Sequence, residues 1–400
     1  MGFFGDRLRA YPRYELYRLG VDTGLYPYYR PVESASRPRL TVDGREVINF
    51  GSNNYLSLSY HPRVVEAAVA ATRRFGTGVT GSRLLNGTLT LHQTLEAELA
   101  AFYEAPACLV FATGYVANAC AIAGFLDRHG VALIDKEAHN SLLSGVRLSG
   151  ARLRRFRHND VEQLAGVLAG LPADQAKGVI VDGVYSMGGE TAPLADLVAL
   201  CRATPNTFLL DDEAHGIGVL GARGRGALED QGVLGDVDLV TVTFSKTLGS
   251  CGGAVLGPSE AIELLQLTAE PFIFTASNTP GSVAAALEAL RILREEPDRP
   301  ARLRANVTLL LGLLAERGVP TNPADSAIVT IPLRRGDEVS VATVFRDLFA
   351  EGVFVNPVIP PAVAGEAGLI RLSLMVDHDA AMLEEASEAL YKVIAEHQQL

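Results

Sequence analysis

Between about residues 105 and 257, short apolar runs alternate with amphipathic or Ala/Leu-rich stretches. The runs cover 107–112, 131–134, 152–156, 178–182, 207–211, 238–244 and 253–256; the stretches between them include 117–127, 160–170 and 194–203. Strands rich in Val, Ile and Leu that alternate with helices predict a mostly parallel sheet covered on both faces. Seven runs suit one wide sheet. A different pattern follows Pro280: a helix over 281–295, a charged and proline-containing break at 295–300, a helix over 301–317 and an alternating strand over 326–333. A helix near 339–350, a strand over 370–374 and a last helix over 380–397 complete an α+β unit. The predicted organisation is an N-terminal arm (1–50), a large α/β domain (51–285) and a small C-terminal α+β domain (286–400). Ligands in open α/β sheets sit at the carboxyl ends of the strands, so the residues just after each run carry most weight.

Charge and composition narrow the function. The chain is 48% hydrophobic with a net charge of −11 and no basic block, which argues against a general nucleic-acid binder. No apolar run approaches the roughly 18–20 residues of a membrane span. Arg7 and Arg9 are not followed by a hydrophobic core, so no secretory leader is predicted. Cys108, Cys120, Cys201 and Cys251 are widely spaced, without the pairing of a metal site, and read as reduced thiols of a cytoplasmic protein. Residues 1–39 differ from the rest, holding six of the twelve tyrosines and a net charge of +3 against −14 elsewhere. Such an arm packs on its own domain or on a partner subunit; the sharper alternative is a dock for an acidic carrier, a polyanionic substrate or a membrane surface.

Basic residues number 35, yet only four are lysines: Lys136, Lys177, Lys246 and Lys392. Lys177 falls in a polar turn ahead of a predicted strand and Lys392 in the last helix. Lys246 stands apart, in TFSKTLGSCGG, where Thr243, Ser245 and glycines follow a strand and could seat a phosphate. A lysine held there loses solvation and becomes nucleophilic near neutrality, although a lone lysine is usually a solvated surface charge. Asp212 and His215 close the run at 207–211 in LLDDEAHGIG. A carboxylate ending a buried strand needs a positive partner, and a cationic heterocycle, a metal or a helix cap would each serve. Gly114 and Tyr115 open a helix in FATGYVAN, where backbone N–H groups could bind phosphate. His139, in DKEAHNSLL, could stack on a planar ring or be structural.

Together these groups, in that order on successive strand ends, are what pyridoxal phosphate requires. The chain resembles the fold-type I enzymes of that cofactor, and specifically the α-oxoamine synthases. The motifs that carry the resemblance are FGSNNYLSL (50–58), GSRLLNGT (81–88), TGYVAN (113–118), the His139 string, VDGVYSMGGE (181–190), DDEAHGIGVLG (211–221), TFSKTLGSCGG (243–253) and FIFTASNTP (272–280). Within the family, GLYPYYRPVES (24–34), FIFTASNTP, GVFVNPVIPP (352–361) and LIRLSL (369–374) look most like the bacterial serine palmitoyltransferase branch.

The resemblance implies a residue-by-residue site. Lys246 would carry the cofactor as a Schiff base and act as acid and base at the substrate Cα. Asp212 would face the pyridinium nitrogen, His215 and Ser186 the ring hydroxyl, and His139 the ring face. Gly114, Tyr115, Thr243 and Ser245 would hold the phosphate, with Thr275 and Ser277 reaching over from a second subunit. Arg371 and Asn53 would grip the substrate carboxylate, with Phe75 and Ser82 also on the substrate side. The implied protein is a cytoplasmic homodimer with shared active sites. It would condense a small L-amino acid, serine favoured, with an acyl thioester, long-chain acyl-CoA favoured, releasing CO2 and thiol and leaving an α-amino ketone, as in the 3-ketosphinganine step of sphingolipid biosynthesis. The alternative inside the family is an enzyme using alanine or glycine, or a carrier-protein-bound acyl group, as in 8-amino-7-oxononanoate or 2-amino-3-ketobutyrate chemistry. Two positions depart from the pattern: Ser57 stands where the family commonly has glycine, and Phe75 where the serine branch has tyrosine. An aminotransferase would share Lys246 and Asp212 but pass nitrogen to a keto acid. A scaffold subunit would not retain Lys246, Asp212, His139 and His215 together, and a dinucleotide enzyme would need a GxGxxG that no first strand precedes.

Overall fold

The structure, a computed structural model, describes residues 2–359 and 368–397. Every one of the seven apolar runs is a strand of one sheet, with no bound displaced by more than one residue. Two strands precede them, β1 (Arg39–Val42) and β2 (Arg45–Asn49). The sheet itself is β3 (Ala107–Phe111), β4 (Val131–Asp135), β5 (Arg152–Phe156), β6 (Lys177–Asp182), β7 (Thr207–Asp212), β8 (Leu239–Thr243) and β9 (Gly253–Gly257), in the order β3-β9-β8-β7-β6-β4-β5. Neighbours from β8 to β5 run parallel, and β9 is antiparallel to both β3 and β8. Alternate side chains feed two cores. Leu109, Ile134, Ile180 and Leu210 pack on one face, under the helix Gly114–Ala123. Val110, Leu133, Val179 and Leu209 pack on the other, with the helices Thr90–Tyr103, Leu194–Ala203 and Pro280–Glu295. Burial on both faces is why these strands read as continuous apolar runs.

The small C-terminal unit has the expected helices, Arg299–Glu316, Glu338–Ala350 and Ala380–Glu396. Its strands are β10 (Ile328–Pro332), β11 (Val353–Phe354), β12 (Asn356–Val358) and β13 (Leu369–Ser373), of which β10, β13 and β12 form an antiparallel sheet. The arm contributes to this end of the molecule, because the β1–β2 hairpin pairs through β2 with β11 in parallel register, Ile48 beside Val353. Pro360 and Pro361 of the GVFVNPVIPP motif lie outside the described residues.

Three local differences from the sequence reading have physical causes. The helix expected over 117–127 begins at Gly114, because Thr113 caps it: its side-chain oxygen accepts the Val116 N–H at 3.2 Å. Lys177 is not in a turn but is the first residue of β6, fully buried, with Nζ donating to the carbonyls of Gln175 (2.6 Å), Pro205 (2.9 Å) and Ala173 (3.4 Å). Three carbonyl acceptors replace the water a buried ammonium would lose. Ser57, where the resemblance leads one to expect glycine, sits at φ +57° and is buried; that left-handed backbone is the one glycine adopts without strain.

Candidate active site

The carboxyl ends of β3, β4, β6, β7 and β8 converge on a cleft of about 270 Å³. Gly114, Tyr115, His139, Asp212, His215, Thr243, Ser245 and Lys246 all line it, joined by Thr113, Asn118, Ser141, Asp182 and Cys251. A larger hollow of about 420 Å³ lies at the opposite ends of β7 and β8, beside Thr207 and Asp238, where sheets of this type do not place their ligands.

Each wall has a local origin. Beyond β3, the capped helix Gly114–Ala123 presents its free N–H groups to the cleft. A Cβ on Gly114 would fall 2.8 Å from both Cβ and Oγ1 of Thr243, so glycine is what lets the helix start approach the β8 exit. Thr243 Oγ1 and Ser245 Oγ lie 2.9 Å apart there, completing a cradle of hydroxyls and backbone N–H groups suited to a phosphate. Beyond β4, His139 caps the helix Asn140–Ser149; its backbone N–H donates to the Asp182 carboxylate at 3.2 Å, and Nδ1 is 2.7 Å from Ser141 Oγ. The imidazole is exposed toward the cleft, free to cover a planar ring.

Asp212 ends β7 and is buried. One oxygen accepts the Asn118 side-chain N–H at 2.7 Å and the other the Ala214 backbone N–H at 2.9 Å. These bonds fix the carboxylate and leave it lone pairs for a cationic donor. His215 is buried, its Nδ1 2.7 Å from the Tyr55 hydroxyl. Burial, then the positive Lys246 and Arg371, hold its pKa well below the usual imidazole range.

Lys246 lies on the floor of the cleft, partly open to it. Burial pulls its pKa down from 10.5 to about 8, opposed by Asp212 and Asp182 and deepened by Arg371. It is an amine that can be neutral close to physiological pH. His139 is lowered too, by burial and Lys246, against the pull of Asp212. Asp182 is pushed well up, by burial first and then by Asp212.

Arg371 reaches the site from the small unit's β13. Buried, it donates from Nε to the Ser186 carbonyl (2.6 Å), from Nη1 to Ser373 Oγ (3.0 Å) and from Nη2 to Asn53 Oδ1 (3.1 Å). Asn53 meets Arg371, whereas Ser186, expected beside the ring hydroxyl, is engaged by Arg371 through its main-chain carbonyl; none of the three is among the residues lining the cleft. Phe75, Ser82, Thr275 and Ser277 do not line the cleft of their own chain. Phe75 ends the helix Pro62–Phe75, Ser82 bridges to Ala276, and Ser277 donates its N–H to the Gly81 carbonyl at 3.0 Å while Oγ lies 3.0 Å from His92 Nε2. The two segments form one surface, on which Leu85 and Phe274 are 79% and 83% exposed.

Sequence reasoning passed over Asn118, Asp182 and Tyr55. Each left a trace: an amide inside the Ala-rich helix of TGYVAN, an acid closing VIVD, and an aromatic at the centre of NNYLSL.

A phosphate cradle, a fixed carboxylate, an exposed histidine and an amine of lowered pKa at the strand ends of this sheet define a fold-type I pyridoxal-phosphate enzyme. The profile of the family "Aminotransferase class I and II" matches residues 45–390. Serine palmitoyltransferase of Bacteroides thetaiotaomicron is 39% identical over 98% of this chain and 98% of its own length. The 8-amino-7-oxononanoate synthase of Symbiobacterium thermophilum is 38% identical over 92% of this chain and 94% of its own. Among solved structures, Sphingomonas wittichii serine palmitoyltransferase superposes with a TM-score of 0.93 at 34% identity, covering 98% of each chain. A high-resolution structure of the same kind of enzyme with its pyridoxal-phosphate internal aldimine gives 0.92 at 34% identity, covering 96% of this chain and 97% of that one. The chain belongs to the aminotransferase class I and II family and, within it, to the α-oxoamine synthases.

Proposed function

We propose that the protein condenses a small L-amino acid, serine by preference, with an acyl thioester, a long-chain acyl-CoA by preference, to give an α-amino ketone, CO2 and free thiol. The observation that carries this is that Lys246 and Asp212 of the large sheet line one cleft while Arg371 of the small unit, tethered to Asn53, lies near enough for its charge to act on Lys246. The similarity to serine palmitoyltransferases over nearly the whole chain supports the same reading.

The residues present fit pyridoxal phosphate: the space kept open by Gly114 would seat the phosphate with Tyr115, Thr243 and Ser245, and Asp212 would serve the ring nitrogen. When bound, the cofactor supplies an electron sink that stabilises negative charge at the amino-acid Cα. The chain does the rest. Asp212 keeps the ring nitrogen protonated by offering a fixed anionic acceptor, and His139 covers the ring face and excludes water from it. His215, and by the family resemblance Ser186, would serve the ring hydroxyl. Lys246, neutral at mildly alkaline pH, takes the Cα proton and later returns one. Arg371, steadied by Asn53, holds the substrate carboxylate until it leaves as CO2. The new C–C bond joins Cα to the thioester carbonyl carbon, and the sulfur departs as thiol.

The exposed surface that carries Leu85 and Phe274 supports a homodimer in which Ser82, Phe75, Thr275 and Ser277 complete the partner's site. In this reading the chain divides into the arm (1–50), the cofactor-binding domain (51–285) and the small domain (286–400), and works in the cytoplasm on the first step of a sphingoid-type pathway. The test is to titrate the cofactor-loaded protein with serine, alanine and glycine by absorbance, then add thioesters of graded length and follow CO2. Thioester-dependent CO2 release, abolished in Lys246→Ala, is the expected result. Transfer of the amino group to a keto acid without CO2 would sink the reading.

A further inference from the structure

The arm helices Phe3–Arg9 and Tyr14–Asp22 contain no buried residue. Between the second of them, residues 25–28 and the helix Glu338–Ala350 runs a groove of about 550 Å³. Its lining includes Tyr14, Leu16, Tyr17, Leu25 and Ala342, a volume and chemistry typical of a small-molecule pocket. Arg13 and Glu338, also in the lining, neutralise each other at 3.1 Å.

One strand links the groove to the neighbourhood of the active site. Ile359, on its wall, directly follows β12, whose Asn356 stands opposite Arg371 in the sheet. The Tyr28 hydroxyl donates to the Pro357 carbonyl at 3.1 Å, pinning the arm to the same strand. From Asn356 to Ile359 is about 10 Å of extended chain, whereas one acyl chain fills half of a roughly 30 Å hydrocarbon layer, about 15 Å. An acyl group reacting beside Arg371 therefore has the length to enter the groove.

The geometry points to this groove as the seat for the distal methylenes of the acyl donor and of the amino-ketone product, an inference that rests on the condensation proposed above. The arm's charge favours this occupant over a polyanion, because five of the seven arginines in residues 1–39 are already paired: Arg9 with Asp6, Arg13 with Glu338, Arg18 with Asp22, Arg30 with Asp43 and Arg39 with Glu385. What the arm offers outward is aromatic and aliphatic surface rather than free positive charge.

Two measurements on the cofactor-loaded protein test it. The first compares kcat/KM for acyl-CoA donors from C8 to C18. Burial of methylenes raises it about fourfold per CH2 over the lengths that enter the groove, and Ala342→Trp lowers the C16-to-C8 ratio more than tenfold. The second irradiates the wild-type protein with a non-cleavable palmitoyl-CoA thioether carrying a terminal diazirine, and labels fall within residues 11–28 and 338–342. An unchanged C16-to-C8 ratio in the variant, or labels confined to other segments, overturns the assignment and gives the groove to a second copy of the chain or to a bilayer. Absence of CO2 with every thioester, with labels still in the groove, would instead overturn the condensation and leave the aliphatic seat standing.

Discussion

Replacing Lys246 by methionine should make the cofactor-free protein more stable. Burial holds the ammonium of Lys246 at a pKa of about 8 instead of 10.5, so at pH 7 the folded protein carries a charge it solvates poorly. At about 1.4 kcal/mol for each tenfold loss of proton affinity, the ceiling on this cost is about 3 kcal/mol. Lys246 is partly open to the cleft, and screening by that solvent leaves about 1–2 kcal/mol. The sign follows from the lowered pKa: the penalty is full below pH 8, shrinks as pH rises from 8 to 10.5, and vanishes above, where the amine is neutral in folded and unfolded chains alike. Methionine keeps most of the stem's packing volume without the charge. With roughly 2 cal/mol/K of unfolding entropy per residue, the gain amounts to a rise of about 1–2 °C in melting temperature for 400 residues. Differential scanning calorimetry of both cofactor-free proteins at pH 7, 9 and 11 measures it. Equal or lower stability of Lys246→Met at pH 7, or a difference that does not close by pH 11, would refute the desolvation argument.

Two further outcomes rest on backbone geometry. Gly114→Ala drives a Cβ to within 2.8 Å of Thr243; overpacking of about 1–3 kcal/mol, falling on the phosphate cradle, weakens cofactor binding by roughly 5- to 100-fold. Spectroscopic titration reads this directly, and an affinity within twofold of wild type contradicts the proposed cradle. Ser57→Gly relieves the left-handed residue at φ +57° and raises stability by about 0.5–1 kcal/mol in denaturant unfolding, whereas a loss would mean that Ser57 is held by contacts worth more than the strain.

The legible parts of this molecule are those whose signal is local. β6 and β7 announce themselves because both faces are buried, and His139, Asp212 and Lys246 because each lies at a strand's carboxyl end or within four residues of it. Arg371 was legible only through the family resemblance of its string, LIRLSL. The illegible parts depend on partners far away in sequence. Lys177 looks like a turn residue until the Pro205 carbonyl, 28 positions on, is found waiting for its ammonium. Asn118 gains meaning only from Asp212, 94 residues later. β1, β2, β11 and β12 are two to five residues long, and the pairing of β2 with β11 joins opposite ends of the chain, so no window of sequence contains both halves of that pattern.

The parallel pairing of β2 with β11 sets an order of events at the ribosome. Ile48 finds its neighbour only when Val353 has been made, and at about 5–20 residues per second that wait lasts roughly 15–60 seconds. Throughout it, the large sheet between them can close on its own residues, while the hairpin Arg39–Asn49 waits with one edge unsatisfied. Phe50 and Tyr55 also accept, through their carbonyls, the N–H groups of Ser373 and Val376. The last-made quarter of the chain is thus the clasp that fastens the first fifty residues. Shortening the protein at its C-terminus would therefore be felt first at its N-terminus.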